Sequence, residues 1–166
     1  MERGQRGRRH RLQSLQVKEN RRWGVGKLGE KQRKFLEENA FVGTVTTLRA
    51  DGSPHSTIVW VDIDDGKVSF NTARGRAKTE HLEKDPRASL LVVDPSDTYK
   101  WVAVSGPAEV TESGADDQID KLAKKYLGKD EYPWRNPAEQ RVKVVIEPDK
   151  VDASGFDDGV VRKIDA

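Results

Sequence analysis

Between Phe41 and Ala73 the chain reads FVGTVTTLRADGSPHSTIVWVDIDDGKVSFNTA. β-Branched and aromatic residues alternate with polar ones, and Asp-Gly interrupts the pattern twice, at Asp51-Gly52 and Asp65-Gly66. Asp-Gly between alternating runs is the strongest short-range signal for a tight antiparallel hairpin, because both residues tolerate the positive φ that such turns require. Three antiparallel strands are therefore predicted, over about 41–49, 54–63 and 67–72. This meander is the strongest constraint on the fold.

The flanking segments extend the pattern. LGEKQRKFLEENA, from Leu28, places Leu28, Phe35 and Leu36 on one face of a short amphipathic helix. Ala77, Glu80, His81 and Leu82 suit a second helix that stops before Asp85-Pro86, since the residue ahead of proline avoids helical geometry. RASLLVVD reads as a buried strand, and YKWVAVSGPAEVTE as a long strand with a bend at Gly106-Pro107. A third helix is expected over 113–127, with Ser113 as N-cap and Ile119, Leu122, Ala123 and Tyr126 on one face. GKDEYPWRNPAEQ is an irregular aromatic loop, and RVKVVIEPDKVDASG reads as one closing strand. Six strands, mostly hairpin-connected, with short flanking helices predict a mainly β, closed antiparallel barrel and not a parallel sheet. No Gly-x-Gly-x-x-Gly follows a strand, so the usual nicotinamide fingerprint is missing.

Charge divides the chain. Twelve Lys and Arg against three Glu fall in the first 34 residues, and the remainder is acidic although the whole carries +2. Residues 1–27 are too poor in apolar side chains to offset their ordering entropy, so they are expected to form a basic, disordered arm. The expected domain spans 28–155, with a tail over 156–166. The arm suits a dispensable extension better than a nucleic-acid contact. There are no cysteines, which removes disulfides, thiolate metal sites and thiol catalysis. No run reaches the roughly 18–20 apolar residues of a membrane span, and a cytoplasmic location is the expectation.

His10, His55 and His81 show no ligand spacing, so no metal site is expected. NTARGRAKTEHLEKDPR is more informative, with Arg74, Arg76 and Lys78 crowded at a predicted helix start. Two readings stand, a solvated face and an anion trap. Cations at a helix N-terminus oppose its dipole and are costly unless an anion joins them. Thr72 and Thr79 add hydroxyl donors. The place of this segment, after a hairpin and between strands bearing Trp60 and Trp101, favours the trap. Core packing and a planar ligand remain alternative roles for those tryptophans.

The ordered series GTVTTLRADGSPHSTIVWV, GKVSFNTARGRAKTEHLEKDPRASLLVVD and YKWVAVSGPAEVTE resembles the pyridoxamine 5′-phosphate oxidase-like flavin-binding split barrels. The match is closest to the branch of actinobacterial oxidoreductases that use the deazaflavin coenzyme F420. The resemblance implies a homodimeric split β-barrel with cofactor sites across the subunit interface. It places the cofactor phosphate against Asn71, Thr72, Arg76, Lys78 and Thr79, with Arg74 nearby. It places the ring against Ser56, Thr57, Ile58, Val59 and Trp60, with Trp101 as a further contact. Tyr132 and Trp134 would close the site from the other subunit. The Arg and Lys with which the founding oxidases hold FMN on this strand are replaced by Ser56 and Val61, and their C-terminal substrate segment is not found. The implied activity is hydride transfer from reduced F420 to an electron-poor small molecule, with His55 or Tyr132 as candidate proton donors. The alternatives are an FMN-dependent oxidoreductase and a non-catalytic flavin carrier.

Overall fold

In the computed structural model, residues 24–156 are described. Residues 1–23 of the expected arm and the tail beyond Phe156 lie outside them. Nine strands and three helices are present in this span: β1 (Gly24–Val25), α1 (Glu30–Glu38), β2 (Gly43–Leu48), β3 (Pro54–Val59), β4 (Val61–Asp64), β5 (Lys67–Ala73), α2 (Ala77–Lys84), β6 (Arg87–Asp94), β7 (Asp97–Thr111), α3 (Ala115–Leu127), β8 (Arg141–Ile146) and β9 (Lys150–Ser154). Every pairing is antiparallel. No helix among the described residues is long and apolar enough to cross a membrane.

The strands run β3-β2-β6-β7-β8-β5-β4 in space. The two ends of that path, β3 and β4, are consecutive in sequence and separated by Trp60 alone. The circuit therefore closes through the covalent chain and not through a ladder, which makes a barrel split at Trp60. Here the expectation of one strand over 54–63 is corrected. The Val61 N–H bonds instead to the Tyr126 hydroxyl of α3 (2.9 Å), which passes its own proton to the Phe41 carbonyl (2.7 Å). Lys125 Nζ reaches the Leu36 and Val61 carbonyls at 2.6 and 2.9 Å. A helix side thus replaces the missing strand partner at the split.

Three further expectations are corrected. The closing strand is two strands, β8 and β9, because β8 pairs with β5 while β9 turns back onto β7. Ser113 is not the N-cap of α3; Gly114 is, at φ +70°, with no side-chain cap bond. Gly24 and Val25, inside the expected arm, pair with Val151 and Lys150.

The bend at Gly106-Pro107 has a clear cause. Up to that point β7 pairs with β6 and β9, and from Ala108 it pairs with β8. A Cβ on Gly106 would lie 1.8 Å from the Glu147 carbonyl oxygen, so only glycine lets the strand cross from one half of the barrel to the other at this spot. Inside, Val45, Val61, Val68, Phe70, Leu90, Val92, Val102, Val104, Val144 and Ile146 form one apolar core.

The opposite face of β3-β2-β6-β7 is left open. Register aligns Ile58, Thr44, Leu91 and Ala103 in one row, and Ser56, Thr46, Ser89 and Ser105 in the next. Ile58 is 62% exposed and Leu91 39%. The hydroxyl row pairs within itself, Thr46 with Ser56 at 2.8 Å and Ser105 with Ser89 at 3.1 Å.

Candidate functional site

The break at Trp60 opens a cavity of about 230 Å³. Ile58, Val59 and Trp60 form its strand wall, Ile119 and Leu122 of α3 its floor, and Tyr132 and Trp134 of the loop over 128–140 its outer wall. Asn71, Lys78 and Arg141 are the polar groups. The aromatic rings support one another. Trp60 stacks on Tyr126 at 5.1 Å and 6°, meets Tyr132 edge-on at 6.2 Å, and Tyr132 meets Trp134 at 5.6 Å. Tyr132 and Trp134 line this cavity from the same chain as Lys78.

The cations divide by partner. Arg74 donates to Glu112 (2.7 Å) and Glu83 (3.2 Å), so acids satisfy it outside the cavity. Arg76 donates to Glu139 at 2.5 Å. Lys78 has no hydrogen bond or ion pair among the described residues. Burial pushes its ammonium below lysine's ordinary value, and the positive charges of Arg76 and Arg141 push the same way. Burial likewise lowers Arg141, with Arg76 and Arg135 adding to the effect. Two half-buried cations facing one cavity are unfavourable for the free chain and suit an anion.

Arg141 is the functional candidate that the sequence reading missed. It opens β8 directly opposite Ala73, the last residue of β5, which sets it beside the start of α2. Its Nε donates to Asn71 Oδ1 at 2.8 Å, and its guanidinium lies 5.4 Å over the Tyr132 ring. Asn71 in turn donates to the Ala115 carbonyl (2.7 Å) and Gln118 Oε1 (3.2 Å), so it anchors Arg141 to α3.

The other expected site residues fall elsewhere. Thr72 is buried, and Thr79, also buried, donates its hydroxyl to the Arg76 carbonyl at 2.7 Å, bracing the helix start. Ser56 lies on the open sheet face, bonded to Thr46. Thr57 faces the other way, with its hydroxyl oxygen buried and unpartnered. Trp101 sits on β7 opposite Val93 and Ser154, away from the cavity lining. His55 also lies off the lining; it packs edge-on against His81 at 5.1 Å, and His81 Nδ1 is 2.9 Å from the Thr47 hydroxyl.

This cavity fits one end of a phosphate-bearing planar cofactor, with cations at one side and aromatic walls at the other. It cannot enclose a whole one, since sites that do so measure roughly 300–1,000 Å³. Fold and site together define a mainly antiparallel split barrel of the flavin-binding type. Residues 28–154 match the family described as pyridoxamine 5′-phosphate oxidase, and the chain belongs to that family. Among solved structures it is similar to an F420 reductase, at 25% identity over 72% of this chain and 94% of that one, with a TM-score of 0.62. A conserved hypothetical protein from Mycobacterium tuberculosis matches at 22% identity, covering 80% of this chain and 88% of its own, with a TM-score of 0.61. The general stress protein 26 of Bacillus anthracis matches at 23% identity, 75% and 92% coverage, and a TM-score of 0.57.

Proposed function

We propose that this protein is an F420-dependent oxidoreductase, acting as a homodimer, that passes a hydride from the reduced coenzyme to an electron-poor organic acceptor. The observation that carries this reading is the pairing of Lys78, which has no acid partner among the described residues, with Arg141, whose ion pair with Glu139 is at 3.6 Å, in a cavity walled by Trp60, Tyr132 and Trp134. Lys78, Arg141 and Arg76 would take the coenzyme's phosphate, and Asn71 would position Arg141. Thr72 and Thr79 then support the segment from beneath, and Arg74 serves as an outer brace.

F420 is favoured over FMN on two grounds. A similar chain of known structure is an F420 reductase. Val61, where the founding oxidases carry a flavin-contacting Lys, is 1% exposed and committed to the core. When bound, reduced F420 supplies the hydride. The protein's part is to orient the ring against β3, to keep water from it with Trp60 and Tyr132, and to offer the Tyr132 hydroxyl as a proton source.

The same geometry supports the dimer in this reading. The cavity holds only part of the cofactor, and the open sheet face carrying Ser56, Ile58 and Trp101 adjoins it through Ile58, which belongs to both. A second copy seated on that face would bring Ser56 and Trp101 into a complete site. Titration of the purified protein with F420 and FMN side by side tests the reading. A saturable change in F420 fluorescence, with weaker FMN binding, is expected. A yellow protein that holds FMN and ignores F420 would replace it with the FMN-dependent alternative.

A further inference from the structure

A row of polar side chains runs from Arg141 at the cavity to Lys121 of α3. Asp62 and Ser69 stand opposite each other on β4 and β5, and Asn71 follows Ser69 on the same face of β5. Gln118 of α3 bonds to all three. Its Nε2 donates to Ser69 Oγ at 2.9 Å and, more weakly, to Asp62 Oδ2 at 3.4 Å, while its Oε1 accepts from Asn71 Nδ2 at 3.2 Å. Asp62 Oδ1 accepts from Lys121 Nζ at 2.7 Å. Asp62, Ser69 and Gln118 are buried.

The two amides in this row have one workable sense each. Arg141 can only donate, so Asn71 must turn Oδ1 toward it, and the Ala115 carbonyl, which can only accept, takes one Asn71 N–H. The other Asn71 N–H then meets Gln118 Oε1. At its far end Gln118 must donate, because the Asp62 carboxylate, ion-paired with Lys121, accepts. Reversing Gln118 would set N–H against N–H at Asn71 and oxygen against oxygen at Asp62, in a buried place where unpaired polar groups are costly. Arg141 gains from this order. Its Nε is committed before any ligand arrives, which holds the planar guanidinium in place and leaves its terminal nitrogens for an anion.

We propose that Gln118 is a positioning residue for Arg141, carrying the fixed polarity of the Asp62–Lys121 pair through Asn71 to the guanidinium that meets the coenzyme's phosphate group. The identity of that ligand rests on the cofactor reading above. Gln118 is not among the residues that line the cavity, so it acts through Arg141 and not on the ligand.

Coenzyme affinity and the exchange rate of the Arg141 Nε–H, read by NMR, test this together. Gln118→Leu should weaken F420 binding about fivefold, because the guanidinium then has to be ordered on binding. The Arg141 Nε–H signal, identified by its absence in Arg141→Ala, should exchange with water faster than in the wild type. In the Arg141→Ala background, Gln118→Leu should cause no further loss of affinity, which a merely structural role would not predict. Gln118→Glu keeps the length but turns an oxygen toward Asp62; it should show the same two effects, and it carries the test if the Leu variant does not fold. A folded Gln118 variant with wild-type affinity and an unchanged Nε–H signal would overturn the positioning role and leave the cofactor reading standing. An equal loss of affinity in both backgrounds would do the same. If the wild type binds neither F420 nor FMN, the cofactor reading falls, and the Nε–H exchange rate alone then decides whether Gln118 orders Arg141.

Discussion

The ammonium of Lys78 is held partly out of water, with two guanidiniums as electrostatic neighbours and no carboxylate in contact. Such a charge is a burden to the free protein and an asset once an anion arrives. Two opposite outcomes follow from one residue. Lys78→Ala should weaken coenzyme binding by about 1.5–3 kcal/mol through loss of a charge-assisted bond, as read by isothermal titration. Lys78→Met, which fills the same space without charge, should raise the melting temperature of the ligand-free protein in a thermal scan. A folded Lys78→Ala variant of unchanged affinity would remove Lys78 from the site. The crowding of three cations around Lys78 was legible in the sequence, but their division of labour was not. Arg74 and Arg76 found acids distant in sequence, at Glu112, Glu83 and Glu139, and only folding decides such pairings.

Among the elements, α3 has a structural duty that its amphipathic pattern conceals. Tyr126 lies on the helix face expected to be merely apolar, yet its hydroxyl bridges Val61 and Phe41 where the barrel ladder is interrupted. Tyr126→Phe keeps the stacking on Trp60 and strips both backbone groups of a partner. A loss of roughly 1–3 kcal/mol in urea unfolding is expected. Burial pushes the Tyr126 phenol up to about 12 from its ordinary 10.0. The native state then holds this proton after the unfolded chain has begun to lose it. The contribution is complete below pH 10 and declines as pH rises toward 12, and the Phe variant should lack that part of the alkaline decline. The β7 bend supplies a second test. Gly106→Ala sets a methyl against the Glu147 carbonyl and should cost about 3 kcal/mol or more, seen as a collapsed unfolding midpoint or loss of soluble protein.

At the scale of the molecule, the uncovered rows on β3-β2-β6-β7 set the expected assembly. Light scattering should report about twice the chain mass of 18.7 kDa. Leu91→Lys introduces a charge into the middle of that face without touching the core. It should yield a folded monomer with weakened coenzyme binding. A monomeric wild type that binds F420 with full affinity would show that one chain completes the site.

The sequence by itself determined the hairpin meander, the antiparallel class and the place of the cationic segment. These depend on contacts between near neighbours: Asp-Gly turns, period-two alternation and the proline that ends α2. The tertiary structure alone decided that strand 54–63 breaks at Trp60, because the reason is a tyrosine 65 residues away in the chain. It also decided that Arg141 stands beside Lys78, through the pairing of β5 with β8. Local chemistry is written along the chain, whereas a cavity is made where distant segments meet.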